Sequence, residues 1–184
     1  MAGIFNEAVL TKKGIELLAK AQADDGTITL TKAVTGAGTY SGGEDLSEKT
    51  ALKDQRQEFP LQTVTVQNKT NVFVKFIITN HPDSGGDLGE GYYVKEIGLY
   101  ARGKDGTEVL YAIATAIEGQ EDYMPSYNSL LPSTITIEFL TEVANAEQVI
   151  ITMPNKSHLY DEATGAKYDI GVENGLLYIQ EVEE

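Results

Sequence analysis

Cysteine and tryptophan are missing from the 184 residues, histidine occurs twice, and 14 lysines and arginines stand against 28 aspartates and glutamates. Without cysteine the chain has neither disulfides nor a thiolate nucleophile. His81 and His158 lie far apart in the sequence with no metal-binding spacing, so they read as turn or surface histidines. A formal net charge of −14 leaves no basic stripe to release counterions from phosphates, which argues against nucleic acid as a partner. The acidic excess serves solubility, or else docking on a basic surface. No apolar run nears the ~20 residues a membrane span needs, so no membrane insertion is expected. The first seven residues lack the positive start and apolar stretch of a signal peptide, which sets the expectation of a chain made in the cytoplasm.

What is present is a 41% hydrophobic chain, enough for one core plus a small appendage. Leu10, Gly14, Leu17, Leu18 and Ala21 recur on one side of a 3.6-residue period and predict an opening helix. Thr11 can cap its start, and Asp24-Asp25-Gly26 can end it. Beyond it the period becomes two. Residues 27–34 read as a strand, and residues 35–50, with Gly36, Gly38, Gly42 and Gly43, as a long mobile loop. Val72, Val74, Phe76 and Ile78 alternate with Phe73, Lys75, Ile77 and Thr79, and residues 61–66 are expected to pair with them through a turn at 68–71. Ile135, Ile137 and Phe139 alternate with threonines and Glu138, and Val149, Ile151 and Met153 form a last strand. One helix and about seven strands predict an α+β, mainly β fold: an N-terminal helix packed on an antiparallel β-sandwich.

Catalytic and ligand-binding patterns are thin. Asp83, Asp87 and Glu90 share an acidic loop whose spacing fails the EF-hand rule. Gly36, Gly38, Gly42 and Gly43 are not followed by Lys-Ser/Thr and a helix, so no phosphate cradle is expected. Nothing places two carboxylates as a glycosidase pair, and Ser126 and Ser129 have no nucleophile-elbow glycines. No catalytic residue, cofactor or metal is assigned. Ten tyrosines are more suggestive, with Tyr92, Tyr93, Tyr100, Tyr111, Tyr123 and Tyr127 in the middle of the chain. Tyrosine suits interfaces because it joins a rigid apolar body to a hydroxyl. The segment 121–131, with Tyr123, Met124, Pro125 and Tyr127, is therefore the first interface candidate.

A hairpin carries the most information. Residues 92–100 form an aromatic and β-branched run, Lys104-Asp105-Gly106 supplies a turn, and residues 109–114 form the return strand. Ile97 and Leu99 point one way, while Glu96, Gly98 and Tyr100 point the other. On the return strand Tyr111 and Ile113 oppose Ala112, Ala114 and Ala116, a row that permits close approach of another layer. That layer is either the domain's own or a neighbouring subunit.

The run Lys95-Glu96-Ile97-Gly98-Leu99-Tyr100 resembles the signature hairpin of the phage tail-collar fibre family, the N-terminal attachment domain of tail fibres. The opening, with Thr11, Gly14 and Leu17-Leu18-Ala19, is similar to that family's first helix. Tyr123-Met124-Pro125 resembles its Tyr-x-Pro, and residues 135–146 its terminal strand and turn. These pieces stand in the family's order over residues 5–153. The resemblance implies a non-enzymatic structural protein of a phage tail or phage-derived contractile particle. It would be assembled in the host cytoplasm and would join baseplate proteins to a fibre or receptor-binding protein, as a homo-oligomer with a trimer among the options. Interface residues on this reading are Leu10, Leu17, Leu18, Glu96, Gly98, Tyr100, Tyr123, Met124, Pro125 and Tyr127.

Where the family's fibres continue into repeats, residues 155–184 read as a separate small module after an attachment domain of residues 1–154. An Asp-x-x-Thr-Gly turn and a Glu-Asn-Gly turn between apolar runs predict a three-stranded meander. Three strands are marginal alone, so this module is expected to pack on something and to couple toward a receptor-binding protein. The alternative function is a carbohydrate- or receptor-binding β module using Tyr123 and Tyr127 as sugar platforms. A small hydrolase is the third.

Overall fold

The computed structural model describes residues 5–23, 27–67, 71–82, 85–142, 150–152, 158–160, 167–173 and 176–181. In chain order it contains β1 (Val9–Leu10), α1 (Lys12–Ala23), β2 (Thr27–Gly36), a 3-10 turn at Leu46–Glu48, β3 (Gln55–Phe59), β4 (Thr63–Gln67) and β5 (Asn71–Thr79). There follow β6 (Tyr92–Val94), β7 (Glu96–Arg102), β8 (Glu108–Thr115), β9 (Asp122–Met124), β10 (Thr134–Glu142) and β11 (Ile150–Thr152). The last strands are β12 (His158–Tyr160), β13 (Lys167–Glu173) and β14 (Leu176–Glu181).

The helix starts where the cap was expected. Thr11 Oγ1 accepts a hydrogen bond from Gly14 N at 3.0 Å and itself donates to the carbonyl of Leu110. Thr11 N donates to Tyr111 O at 3.0 Å, so the first turn is seated on the edge of β8. A Cβ on Gly14 would collide with the Tyr111 carbonyl, which is why glycine stands there. Gly14, Leu17, Leu18 and Ala21 form the buried stripe. Leu10 precedes the helix, in β1, rather than opening it. The proposed stop at residues 24–26 lies outside the described residues.

A six-stranded sheet runs β1-β8-β7-β2-β11, with β3 also paired to β2, and a three-stranded sheet runs β10-β5-β4. Their facing sides share one core. Val72, Val74, Phe76 and Ile78 of β5 are each 0% exposed and cluster with Ile28, Leu30, Ile97 and Leu99 of the other sheet and with the helix leucines. This is the α+β, mainly β sandwich that the alternation of apolar residues predicts. The turn between β4 and β5 lies outside the described residues.

Three local features depart from the sequence reading. The stretch 92–100 is two strands, because β6 pairs with β9 in a ribbon of its own while β7 joins the large sheet. A register shift follows Leu99, where Leu99 pairs with Ala112 but Tyr100 pairs with Leu110. The residue between, Tyr111, is thereby turned into the core with Ala112 and Ala114, away from Ile113, which packs with Leu110 on the opposite face. β11, of which residues 150–152 are described, pairs parallel to β2 at the far edge of an otherwise antiparallel sheet.

The outer face of the six-stranded sheet is also covered. Val34, Leu52, Leu110 and Ile113 form a second cluster there, with Tyr40, Leu46 and Tyr100 packed against it. The layer over Gly98 is thus the chain's own segment 37–54. A Cβ on Gly98 would lie 2.8 Å from Leu110 Cδ1 and 3.1 Å from Leu52 Cδ2.

The chain divides into two compact units, Met1–Met153 and Pro154–Glu184. The second is an antiparallel meander in the order β12-β13-β14, with Tyr160 opposite Lys167 and Glu173 opposite Leu176. Its turns at 161–166 and 174–175 lie outside the described residues.

Candidate interface surfaces

The glycine-rich segment expected as a mobile loop is tied down by one carboxylate. Glu96, 0% exposed, accepts from Gly38 N at 2.9 Å and Asp54 N at 2.8 Å on Oε1. On Oε2 it accepts from Lys53 N at 3.0 Å and the Tyr40 hydroxyl at 2.5 Å. Four donors around a buried carboxylate offset the cost of taking it out of water. A Cβ at Gly36 or at Gly38 would strike the Glu96 side chain, so both glycines make room for this cradle. Burial, and then the Glu96 carboxylate, push the Tyr40 hydroxyl well above its ordinary pKa.

The rim of this loop is ionic. Glu44 pairs with Lys49 and, at 2.6 Å, with Lys53, and these lysines hold its carboxyl down to about 2. Lys53 Nζ also lies 4.6 Å from the centre of the Tyr40 ring. Lys12 at the helix start reaches Glu48 of the 3-10 turn, linking the two.

A second buried hub, Asn80, holds the loops at one end of the main unit. It is 2% exposed, and its Nδ2 donates to Pro125 O at 3.1 Å and more weakly to Ser126 O at 3.4 Å. Its Oδ1 accepts from Ser133 N at 2.8 Å, while its backbone O accepts from Leu88 N at 2.9 Å. Tyr127 N donates to Leu88 O at 2.8 Å, and the Tyr127 ring stacks on His81 at 4.3 Å. His81 also pairs with Asp87 at 2.5 Å. Of the acidic loop, Asp83 lies outside the described residues, and among those described no cluster of three metal-ligating side chains occurs.

The Asn80 hub supports an exposed aromatic and aliphatic surface. Tyr93 on β6 and Tyr123 on β9 are paired in register, 54% and 52% exposed, with ring centres 5.0 Å apart. A Cβ on Gly91 would meet the Tyr123 hydroxyl, so the glycine makes room for that side chain. Leu130 and Leu131, in the connection to β10, are 78% and 79% exposed. Ser129 just before them has φ 62°, a left-handed turn.

The residues singled out from the sequence fall into two groups. Leu17, Leu18, Glu96, Gly98 and Met124 are buried inside the chain's own packing, and Leu10, Tyr100, Pro125 and Tyr127 are half-buried. Tyr123 stands on the surface. Sequence reading missed Asn80, whose long-range bonds leave no local signal, and the pairing of Tyr93 with Tyr123. Among the described residues no helix is long and apolar enough to cross a membrane.

A family described as phage tail-collar fibre protein, N-terminal, matches residues 1–158. The chain belongs to the phage tail-collar fibre family. No curated protein and no solved structure gives a match. The tail-collar fibre match spans the helix, the hairpin and both sheets of the sandwich, and it begins and ends around the unit Met1–Met153. Membership makes this a structural, tail-associated protein that interacts with other phage tail proteins.

Proposed function

We propose that this tail-collar fibre protein is the mount by which a fibre or receptor-binding protein is held to the baseplate of a phage tail or phage-derived contractile particle. The observation that carries this reading is the family match over residues 1–158. The pinned loops agree with it: buried Glu96 and Asn80 fix segments that would otherwise be free, as a mount transmitting force requires. Within it, residues 1–154 serve as attachment domain and residues 155–184 as the module that couples to the distal partner. Assembly places several copies around the tail, bound through closed symmetric interfaces. The work is done by binding, without a catalytic step.

Particles lacking this chain, viewed by electron microscopy, should have complete baseplates and no fibres. Fibres retained at normal number would overturn the reading.

The exposed pair Tyr93 and Tyr123 supports a second reading, a glycan-binding module, because flat exposed rings stack on sugar faces. Tyr127, by contrast, already stacks on His81. A mount stays silent on a glycan array as an isolated chain. A lectin gives a signal there that Tyr123→Ala removes.

A further inference from the structure

Among the described residues, each sheet of the sandwich ends in a strand with a single neighbour, β1 in one and β10 in the other. Between these edges opens a cleft of about 610 Å³, bounded by residues 5–8 on one wall and 136–140 on the other. Phe5 extends the β1 edge by bridging Ala116. Ile97 and Ala114 of the large sheet also line the cleft, and the small side chain of Ala114 leaves it room.

β10 is nine residues long, about 30 Å at ~3.4 Å per residue, and among the described residues it is paired along its whole length to β5, on one side only. An unpaired strand edge is a template for another strand. The apolar side chains on offer are those of Phe5, half-buried, with Ile97 and Ala114, while Thr136, Glu138 and Leu140, the last 50% exposed, share the outward face of β10. Among the described residues, the charged side chains lining the cleft are acidic, Glu7 and Glu138. Lys75 stands opposite Glu138 on β5 but does not line it. A second copy of this chain, itself at −14, would bring acid to acid.

We propose that this cleft receives an extended segment of another tail protein, which pairs with the exposed edge of β10, packs apolar side chains of one face against Phe5, Ile97 and Ala114, and meets Glu7 and Glu138 with lysine or arginine. The proposal rests on the mounting role above and gives its partner a chemistry: a strand alternating apolar and basic residues.

The test titrates the full-length chain with an eight-residue peptide of alternating valine and lysine, following backbone amide signals by NMR. Binding should shift residues 134–142 and 5–10 most. It should weaken at least tenfold when glutamate replaces the peptide's lysines, when alternate peptide nitrogens are methylated, or in Glu7→Lys/Glu138→Lys. Both glutamates are exposed, so that variant keeps its fold. No binding, binding mapped elsewhere, or binding indifferent to charge reversal overturns the proposal. Concentration-dependent dimers that the same reversal abolishes also overturn it, by seating a second copy in the cleft. Chain-deleted particles that keep their fibres would instead overturn the mounting role and leave the peptide result standing.

Discussion

At Gly98 the reason for the residue lies directly above it. Segment 37–54 crosses the outer face of the large sheet, and Leu52 and Leu110 fill the space a side chain would need. Gly98→Val should therefore lower stability by about 1–3 kcal/mol through overpacking, seen as a lower urea midpoint with an unchanged slope. Any loss of particle assembly in this variant follows from that packing. Tyr111 is the opposite case. Its hydroxyl is buried with no partner among the described residues, and burial alone pushes its pKa up. Tyr111→Phe should then be neutral or stabilising by up to about 1 kcal/mol. The pH dependence has a definite sign. Below the unfolded pKa of 10.0 both states keep the proton and stability is level. Above it the unfolded chain loses the proton first, so native stability falls as pH rises. Tyr40 and Tyr92, also raised, act in the same direction. Urea midpoints between pH 8 and pH 11.5 should decline more gently for Tyr111→Phe than for the parent; identical slopes would mean Tyr111 is solvated.

Among the elements, those written in a local period were legible and those made by distant partners were not. The stripe Gly14, Leu17, Leu18 and Ala21 gave the helix, and the alternation at Val72, Val74, Phe76 and Ile78 gave β5 its buried face. The turn at Gly106, φ 76°, marked the β7–β8 hairpin. By contrast, a single inserted residue at Tyr111 reverses which side the tyrosine faces, and periodicity carries no trace of it. The glycines at 36 and 38 signal a loop whether it is free or wrapped around Glu96, and only the carboxylate 58 residues away from Gly38 decides. The candidate surface was legible in the same partial way: tyrosine content pointed to segment 121–131, but the support from Asn80 spans 45 to 53 positions. Asn80→Ala should leave the Pro125 carbonyl and Ser133 N–H without their partner, at a cost of about 1–3 kcal/mol. Hydrogen exchange should quicken in residues 85–91 and 125–133 and stay slow in β5 and β7. Uniform quickening over the whole main unit would mean Asn80 supports the core rather than these loops.

On the scale of the whole molecule, the family match and the division of the chain almost coincide. The match ends at residue 158, five residues beyond Met153, where the main unit closes. Met1–Met153 contains every element of the sandwich and both buried hubs. The second unit, a meander of three short strands, stands at the lower limit of strand number for independent stability. On the proposed mounting role, the main unit is the part that is mounted and the small unit the part that couples to the distal partner. Deleting residues 158–184 should accordingly leave the thermal transition of the main unit within a few degrees of the full chain. In particles the same deletion should keep the truncated protein on the tail while the distal fibre is lost, with protein content read by mass spectrometry and fibres counted by electron microscopy. Fibres persisting on those particles would move the coupling contact into residues 1–157. Loss of the truncated protein itself would make the meander part of the attachment to the baseplate.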